Sequence, residues 1–179
     1  MDVTIRRCEP RDAEALALVG KATFLETYAG ALDAADILAH CQAQHAPARY
    51  EAWLQDWRHL LWIAEAAAGG APVGYAVVAP PDPADGFPAR DLELKRIYLL
   101  HRLHGSGIGA RLMTAAIKAA TATGAPRLLV GVYEGNARAL AFYSRHGFAP
   151  AGFRKFRVGA STYDDPVLAR DLQIAPEAR

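Results

Sequence analysis

Apolar positions along the chain change period several times, and each change marks an element. Val3 and Ile5 alternate with Thr4 and Arg6, which predicts a short strand ending before Pro10. From Pro10 the spacing turns helical, with Asp12 and Glu14 in the first turn and Ala13, Leu16, Ala17 and Gly20 on one side. Further helical patterns cover Ala22 to Tyr28, Ala34 to Gln42 and Pro47 to Trp57. In the last of these Tyr50, Trp53, Leu54 and Trp57 recur at i, i+3, i+4, i+7, the spacing of core anchors or of one wall of a substrate pocket.

Leu60 to Glu65 and Pro72 to Ala79 are apolar runs joined through Gly69 and Gly70, a hairpin. The prolines of PPDPADGFPAR (80–90) remove donors and fix φ, so this stretch is an exposed loop. Asp91 to Leu100 is a strand of two parities: Leu92 and Leu94 share one, Ile97 and Leu99 the other, and a bulge near Lys95 or Arg96 reconciles them. A helix from about Gly107 to Thr123 carries Ile108, Leu112, Ala116 and Ala120 at intervals of four, closed by Gly124 and Pro126. Arg127 to Tyr133 is a buried strand and Asn136 to His146 a helix ended by Gly147. Phe148 to Ala151 and Tyr163 to Leu172 are strands flanking a charged loop with Arg154, Lys155 and Arg157, and the tail IAPEAR is a frayed end.

Composition narrows the classes. A chain of 179 residues suits one domain with a full core, and a net charge of +1 gives no electrostatic footprint for nucleic acid. Cys8 and Cys41 have neither CxxC nor Cys/His ligand spacing, which argues against a disulfide scaffold or a metal site and suits a reducing compartment. With no signal-peptide core and no window of about 20 apolar residues, the expectation is a cytoplasmic protein with no membrane partner.

The chemistry concentrates between His101 and Tyr143. Gly105, Gly107 and Gly109 lie between an apolar strand and an apolar-periodic helix, so backbone N–H groups converge at a helix N-terminus, a seat for phosphate or pyrophosphate. Asn136 and Tyr143, seven residues apart, return to nearly the same helix face. Gly105, Gly107 and Ala110 also satisfy G-x-G-x-x-G/A, with Glu134 after the next strand. A dinucleotide fingerprint, however, follows its strand directly and opens its domain, whereas here HRLH intervenes and about 100 residues precede it. A nucleotide P-loop fails because no Lys-Ser/Thr follows the glycines. A plain strand-to-helix turn would need one glycine.

The order strand, H-G-S-G-I-G, helix, strand, then N-x-x-A-x-x-F-Y-x-x-x-G-F resembles the GCN5-related N-acetyltransferase (GNAT) family, whose signature is Q/R-x-x-G-x-G/A followed by an Asn and a Tyr on the next helix. His104 stands where the family has Gln or Arg, with Gly107 and Gly109 after it. ELKRIYL, the ending FxVG and the late Tyr-Asp-Asp are similar to the spermidine/spermine acetyltransferase-like bacterial branch. The resemblance implies an α/β (α+β) three-layer fold, a central mixed and mostly antiparallel sheet with helices on both faces, over 1–179.

It also implies acetyl-CoA as co-substrate, with its pyrophosphate on the N–H groups of His104, Gly105, Ser106, Gly107, Ile108 and Gly109. The pantetheine would then lie against the splayed backbone of Ile97, Tyr98, Leu99 and Leu100, with an N–H near Leu99 polarising the thioester. Asn136 either touches the pantetheine or caps its helix. The acceptor is a primary amine: a polyamine, small amine or peptide N-terminus. Glu93 is the candidate base, directly or through water, against the reading of a salt bridge or solvated face, and Tyr143 the candidate acid for the departing thiolate. Asp164 and Asp165 meet a cationic acceptor or form a solvated turn. No metal is needed, and neither cysteine lies near enough in sequence to form a covalent intermediate. The alternative is a catalytically silent CoA-binding module. Edge strands make a homodimer plausible.

Overall fold

The structure is a computed structural model and describes residues 1–158 and 161–172. Among the described residues seven strands form one sheet: β1 (Val3–Arg7), β2 (Leu60–Ala66), β3 (Pro72–Ala79), β4 (Leu92–Leu99), β5 (Arg127–Gly131), β6 (Ala149–Val158) and β7 (Ser161–Asp171). Their spatial order is β1-β2-β3-β4-β5-β7-β6, and every pairing is antiparallel except β4 with β5. The α-helices among the described residues are α1 (Ala13–Tyr28), α2 (Ala34–Gln44), α3 (Pro47–Gln55), α4 (Ile108–Ala122) and α5 (Ala137–Arg145).

The sheet is covered on both faces, which is why β2 and β3 read as nearly unbroken apolar runs. Trp62, Ala64, Ala76 and Val78 pack in one cluster with Ile108, Leu112, Met113 and Ala116 of α4. Leu61, Ile63, Tyr75 and Val77 pack in another with Leu16, Ala17 and Val19 of α1 and Tyr50 of α3. The mixed, mostly antiparallel three-layer fold is therefore the observed one.

The bulge expected in β4 falls on Lys95. Val77 pairs with Arg96 and Val78 with Leu94, leaving Lys95 unmatched. That extra residue puts Leu92, Leu94, Ile97 and Leu99 together in the α4-side cluster. Glu93, Arg96 and Tyr98 are turned to the opposite face, where they line a cavity.

Four expectations are corrected. The helices expected on either side of Gly20 are one continuous α1: Gly20 does not break it, and its missing side chain makes room, since a Cβ there would meet the Tyr50 hydroxyl at 2.6 Å and collide with the His45 ring. α3 stops at Gln55, so Trp57 is 87% exposed and anchors nothing, whereas Tyr50 is fully buried. The charged loop around Arg154 and Lys155 is strand, because β6 runs on to Val158 as a sheet edge paired with β7. Asp164 and Asp165 are likewise in β7 and not in a turn. The expected frayed tail lies outside the described residues. No helix among the described residues is long and apolar enough to cross a membrane.

Candidate active site

The sheet has one weak seam. Among the described residues β4 and β5 pair only at Leu92 with Leu128 and Glu93 with Leu129, and beyond them β4 continues with no described partner on that side. The β3 register fixes which backbone groups face the gap. Leu100 N–H donates to Val73 O (2.9 Å), so in antiparallel alternation Tyr98 and Leu100 turn their polar groups toward β3, while Ile97 and Leu99 turn theirs into the gap. The four backbone positions expected to be free thus reduce to two. Of these, the Leu99 carbonyl already sits 2.7 Å from His104 Nε2.

That contact redefines His104. Its ring folds back onto the end of β4 and latches the glycine loop to the strand. Burial lowers its pKa, so the neutral ring donates from Nε2 and leaves Nδ1 buried with no partner among the described residues. The latch and two local backbone bonds also thin the N–H cradle. His104 N–H donates to His101 O (3.0 Å) and Ser106 N–H to Leu103 O (3.3 Å), while Ser106 Oγ bonds Leu103 O. His104 and Ser106 are therefore not free donors, because a short 3-10 turn at His101–Leu103 consumes them.

Gly105, Gly107, Ile108 and Gly109 remain, their N–H groups donating to no backbone acceptor among the described residues. The first helical bond of α4 is Arg111 N–H to Gly107 O. Gly105 and Gly107 both have φ +83°, and a Cβ on either would meet nothing within 4 Å. The cradle is thus open space bounded by aimed donors at a helix N-terminus, and it fits a pyrophosphate.

Asn136 caps α5, its Oδ1 accepting Ala139 N–H at 3.0 Å. The capping alternative is the observed one, and only the side-chain NH₂ remains for a ligand. Tyr143, on the same helix, is 8% exposed, with Phe142 and Phe148 edge-on to its ring. Burial first, then the neighbouring Tyr98, raise the Tyr143 phenol well above its usual range. Its hydroxyl has no hydrogen-bond partner among the described residues. The neighbouring Tyr98, then burial, likewise raise the Tyr28 phenol, and burial raises that of Tyr98, so phenols from α1, β4 and α5 influence one another electrostatically.

On the face of β4 that carries Tyr98 lies a cavity of about 690 Å³ between α2, α3 and β6. Glu93 lines it, 3% exposed, with Oε2 2.6 Å from Lys95 Nζ and Oε1 2.5 Å from Arg154 Nη1. Arg154 reaches it by crossing Gly131, where a Cβ would collide with the guanidinium. The salt-bridge alternative for Glu93 is therefore present in the structure.

Asp165, expected either to meet a cationic acceptor or to lie in a solvated turn, is 4% exposed, and its Oδ1 has no hydrogen-bond partner among the described residues. Burial raises its carboxyl above the usual value. Its charge also acts on Tyr28 and Tyr98. The signal that could have found it is an acidic residue followed by Pro166 and the apolar run of β7. Cys8 is half-buried, its thiol pushed up to about 12 chiefly by burial, which makes it inert.

The family model described as "Acetyltransferase (GNAT) family" matches residues 28–148. An uncharacterized N-acetyltransferase of Mycobacterium tuberculosis (strain ATCC 25618 / H37Rv) is 37% identical over 161 residues, covering 90% of this chain and 98% of that protein. The fold is similar to the crystal structure of PaiA N-acetyltransferase from Thermoplasma acidophilum in complex with coenzyme A, with a TM-score of 0.77 at 20% identity, covering 96% of this chain and 99% of that one. It is also similar to the ribosomal-protein-S18-alanine N-acetyltransferase of Escherichia coli, with a TM-score of 0.69 at 18% identity over 98% and 97% of the two chains.

Proposed function

The chain belongs to the acetyltransferase (GNAT) family, and from that premise we propose that it moves the acetyl group of acetyl-CoA to a primary amine by direct attack, within one catalytic domain. The observation that carries the proposal is the parting of β4 from β5 after two residue pairs, beside an open N–H cradle. The co-substrate supplies an activated acyl group on a thiol leaving group. Gly105, Gly107, Ile108 and Gly109 hold its pyrophosphate, and the free edge at Ile97 and Leu99 pairs with its amides as an added strand would.

The Leu99 N–H then donates to the carbonyl oxygen as charge develops there, an effect worth about 3 kcal/mol of barrier for one such donor. An amine near pKa 10 arrives mostly protonated and must lose that proton before it can attack. Glu93 is one acceptor for it; with both oxygens engaged by cations, it acts through water or after Lys95 swings aside. Asp165 is the second reading, favoured by its unpartnered buried oxygen. Tyr143 donates to the departing thiolate. Because its proton is held tightly, we assign it hydrogen-bond stabilisation that becomes proton transfer only as the C–S bond breaks.

The test is thiol release from acetyl-CoA across a panel of primary amines, with the acetylated product weighed by mass spectrometry. Thiol released in step with product supports the proposal. Tight acetyl-CoA binding with no release for any amine replaces it with the silent binding module.

A further inference from the structure

The cavity beside Tyr98 is unevenly charged. Five basic side chains line it against three carboxylates, in a chain whose net charge is only +1. His40 and His45 in its wall add nothing near neutral pH, since burial, with Arg96 second, pushes them down to about 4 and about 2. Most of the excess is internally matched: Glu93 takes Lys95 and Arg154, Asp85 takes Arg154 at 3.4 Å, and Lys155 pairs with Asp164. Arg96 and Arg49 have no carboxylate partner among the described residues.

Arg96 is the informative one. It is half-buried on a central strand and bonded to neutral acceptors, with Nη1 donating to the Tyr50 hydroxyl at 2.7 Å and Nη2 to the Gln44 carbonyl at 2.8 Å. Its guanidinium lies over Trp53 at 4.7 Å, and that of Arg49 lies over the same ring at 5.9 Å. A cation drawn out of water against aromatic rings keeps its hydrogen bonds here but lacks an opposite charge. Packing alone would be served better by an apolar side chain. A guanidinium is planar, always charged, and matched to a carboxylate by its fork of donors.

Position sets the rest. Arg96 and Tyr98 point to one face of β4 two residues apart, roughly 7 Å along the strand, and Tyr98 lies on the stretch of β4 that has left β5, beside the proposed place of transfer. We infer that the acceptor is a small molecule bearing a carboxylate a few bonds from its amine, an amino acid, its acid group held by Arg96 and Arg49 beside Trp53. This rests on the transferase reading and narrows it. A polyamine, positive throughout, would meet the excess of like charge.

The test pairs a set of amino acids with their primary amides, alongside spermidine and simple alkylamines. The acid form should show kcat/KM at least tenfold above its amide. In Arg96→Gln and Arg49→Gln that ratio should fall toward one through KM for the acid, with the amide little changed. If Arg96→Gln does not fold, Arg49→Gln, on an exposed helix position, tests the site independently. Amides, alkylamines or spermidine used as well as the acids by the unmodified enzyme would overturn the inference. Calorimetry on the CoA-loaded protein separates the two levels. Acids bound in preference to amides, yet never acetylated, sink the transferase reading and leave the anion site standing. Acetylation without preference for the acid does the reverse.

Discussion

Gly107 and Gly109 resemble each other in sequence and differ in what they contribute. Gly107 caps α4 with φ +83° and ψ −9°, and a Cβ there would meet nothing within 4 Å. Alanine at 107 therefore clashes with no neighbour, and its cost is conformational, about 1–2 kcal/mol for an L-residue in the left-handed region. For a chain of this size that is a fall in Tm of roughly 2–8 °C. If the backbone instead relaxes out of that region, the N–H groups of Ile108 and Gly109 are re-aimed. Losing one such bond to a phosphate costs about 1.5–3 kcal/mol, or roughly 10- to 150-fold in acetyl-CoA affinity.

Gly109 sits inside α4, and its added Cβ would make ordinary contact with Phe142 at 3.7 Å. Gly109→Ala should raise stability by up to about 1 kcal/mol and leave affinity within about threefold. The two variants are read by thermal unfolding and by calorimetry with acetyl-CoA. Gly107→Asn, which tolerates the left-handed region, should recover part of the lost stability. Normal binding by Gly107→Ala together with an unchanged Tm, or equal losses of affinity in both alanine variants, refutes the cradle.

Tyr143→Phe should lower kcat on the order of 100-fold while the Kd for acetyl-CoA stays within about twofold, and an unchanged kcat removes the phenol from the mechanism. Of Glu93→Gln and Asp165→Asn, the variant that abolishes the acidic limb of the kcat/KM profile identifies the proton acceptor; a limb intact in both excludes both. Burial raises the folded-state Asp165 carboxyl, so its ionised form costs stability above that raised value and the cost vanishes below the unfolded value near 3.9. Asp165→Asn should accordingly raise Tm at pH 7 and not at pH 3. His45, fully buried and pushed down to about 2 by burial, stays neutral while the unfolded chain takes up a proton below about pH 6.5. It therefore removes roughly 1.4 kcal/mol of stability per pH unit below that point, a slope that denaturant melts should show weakened in His45→Gln.

How much of this was legible in the sequence depended on whether the signal was local. The Lys95 bulge could be read because two apolar parities met within one strand. The continuity of α1 through Gly20 could not, because what that glycine accommodates, His45 and Tyr50, arrives from later helices. The start of β6 reads as a strand, but its outer part with Arg154 and Lys155 reads as a loop since those charges satisfy partners across the sheet, among them Glu93 and Asp164. The glycine loop announced a convergence of N–H groups, yet which of them the turn at His101–Leu103 consumes is a matter of tertiary placement. In the sequence Arg96 enters only as a possible bulge position, and what singles it out is that no carboxylate among the described residues pairs with it.

The two-pair seam between β4 and β5 makes cohesion and carrier occupancy one property. The antiparallel block β1 to β4 and the block β5 to β7 share little ladder, so a molecule lying along Ile97 and Leu99 stitches them where the polypeptide does not. At 100 times its Kd such a ligand adds about 2.7 kcal/mol against unfolding. Resistance to proteolysis should then track acetyl-CoA supply, so a starved cell would clear this protein faster than a well-fed one.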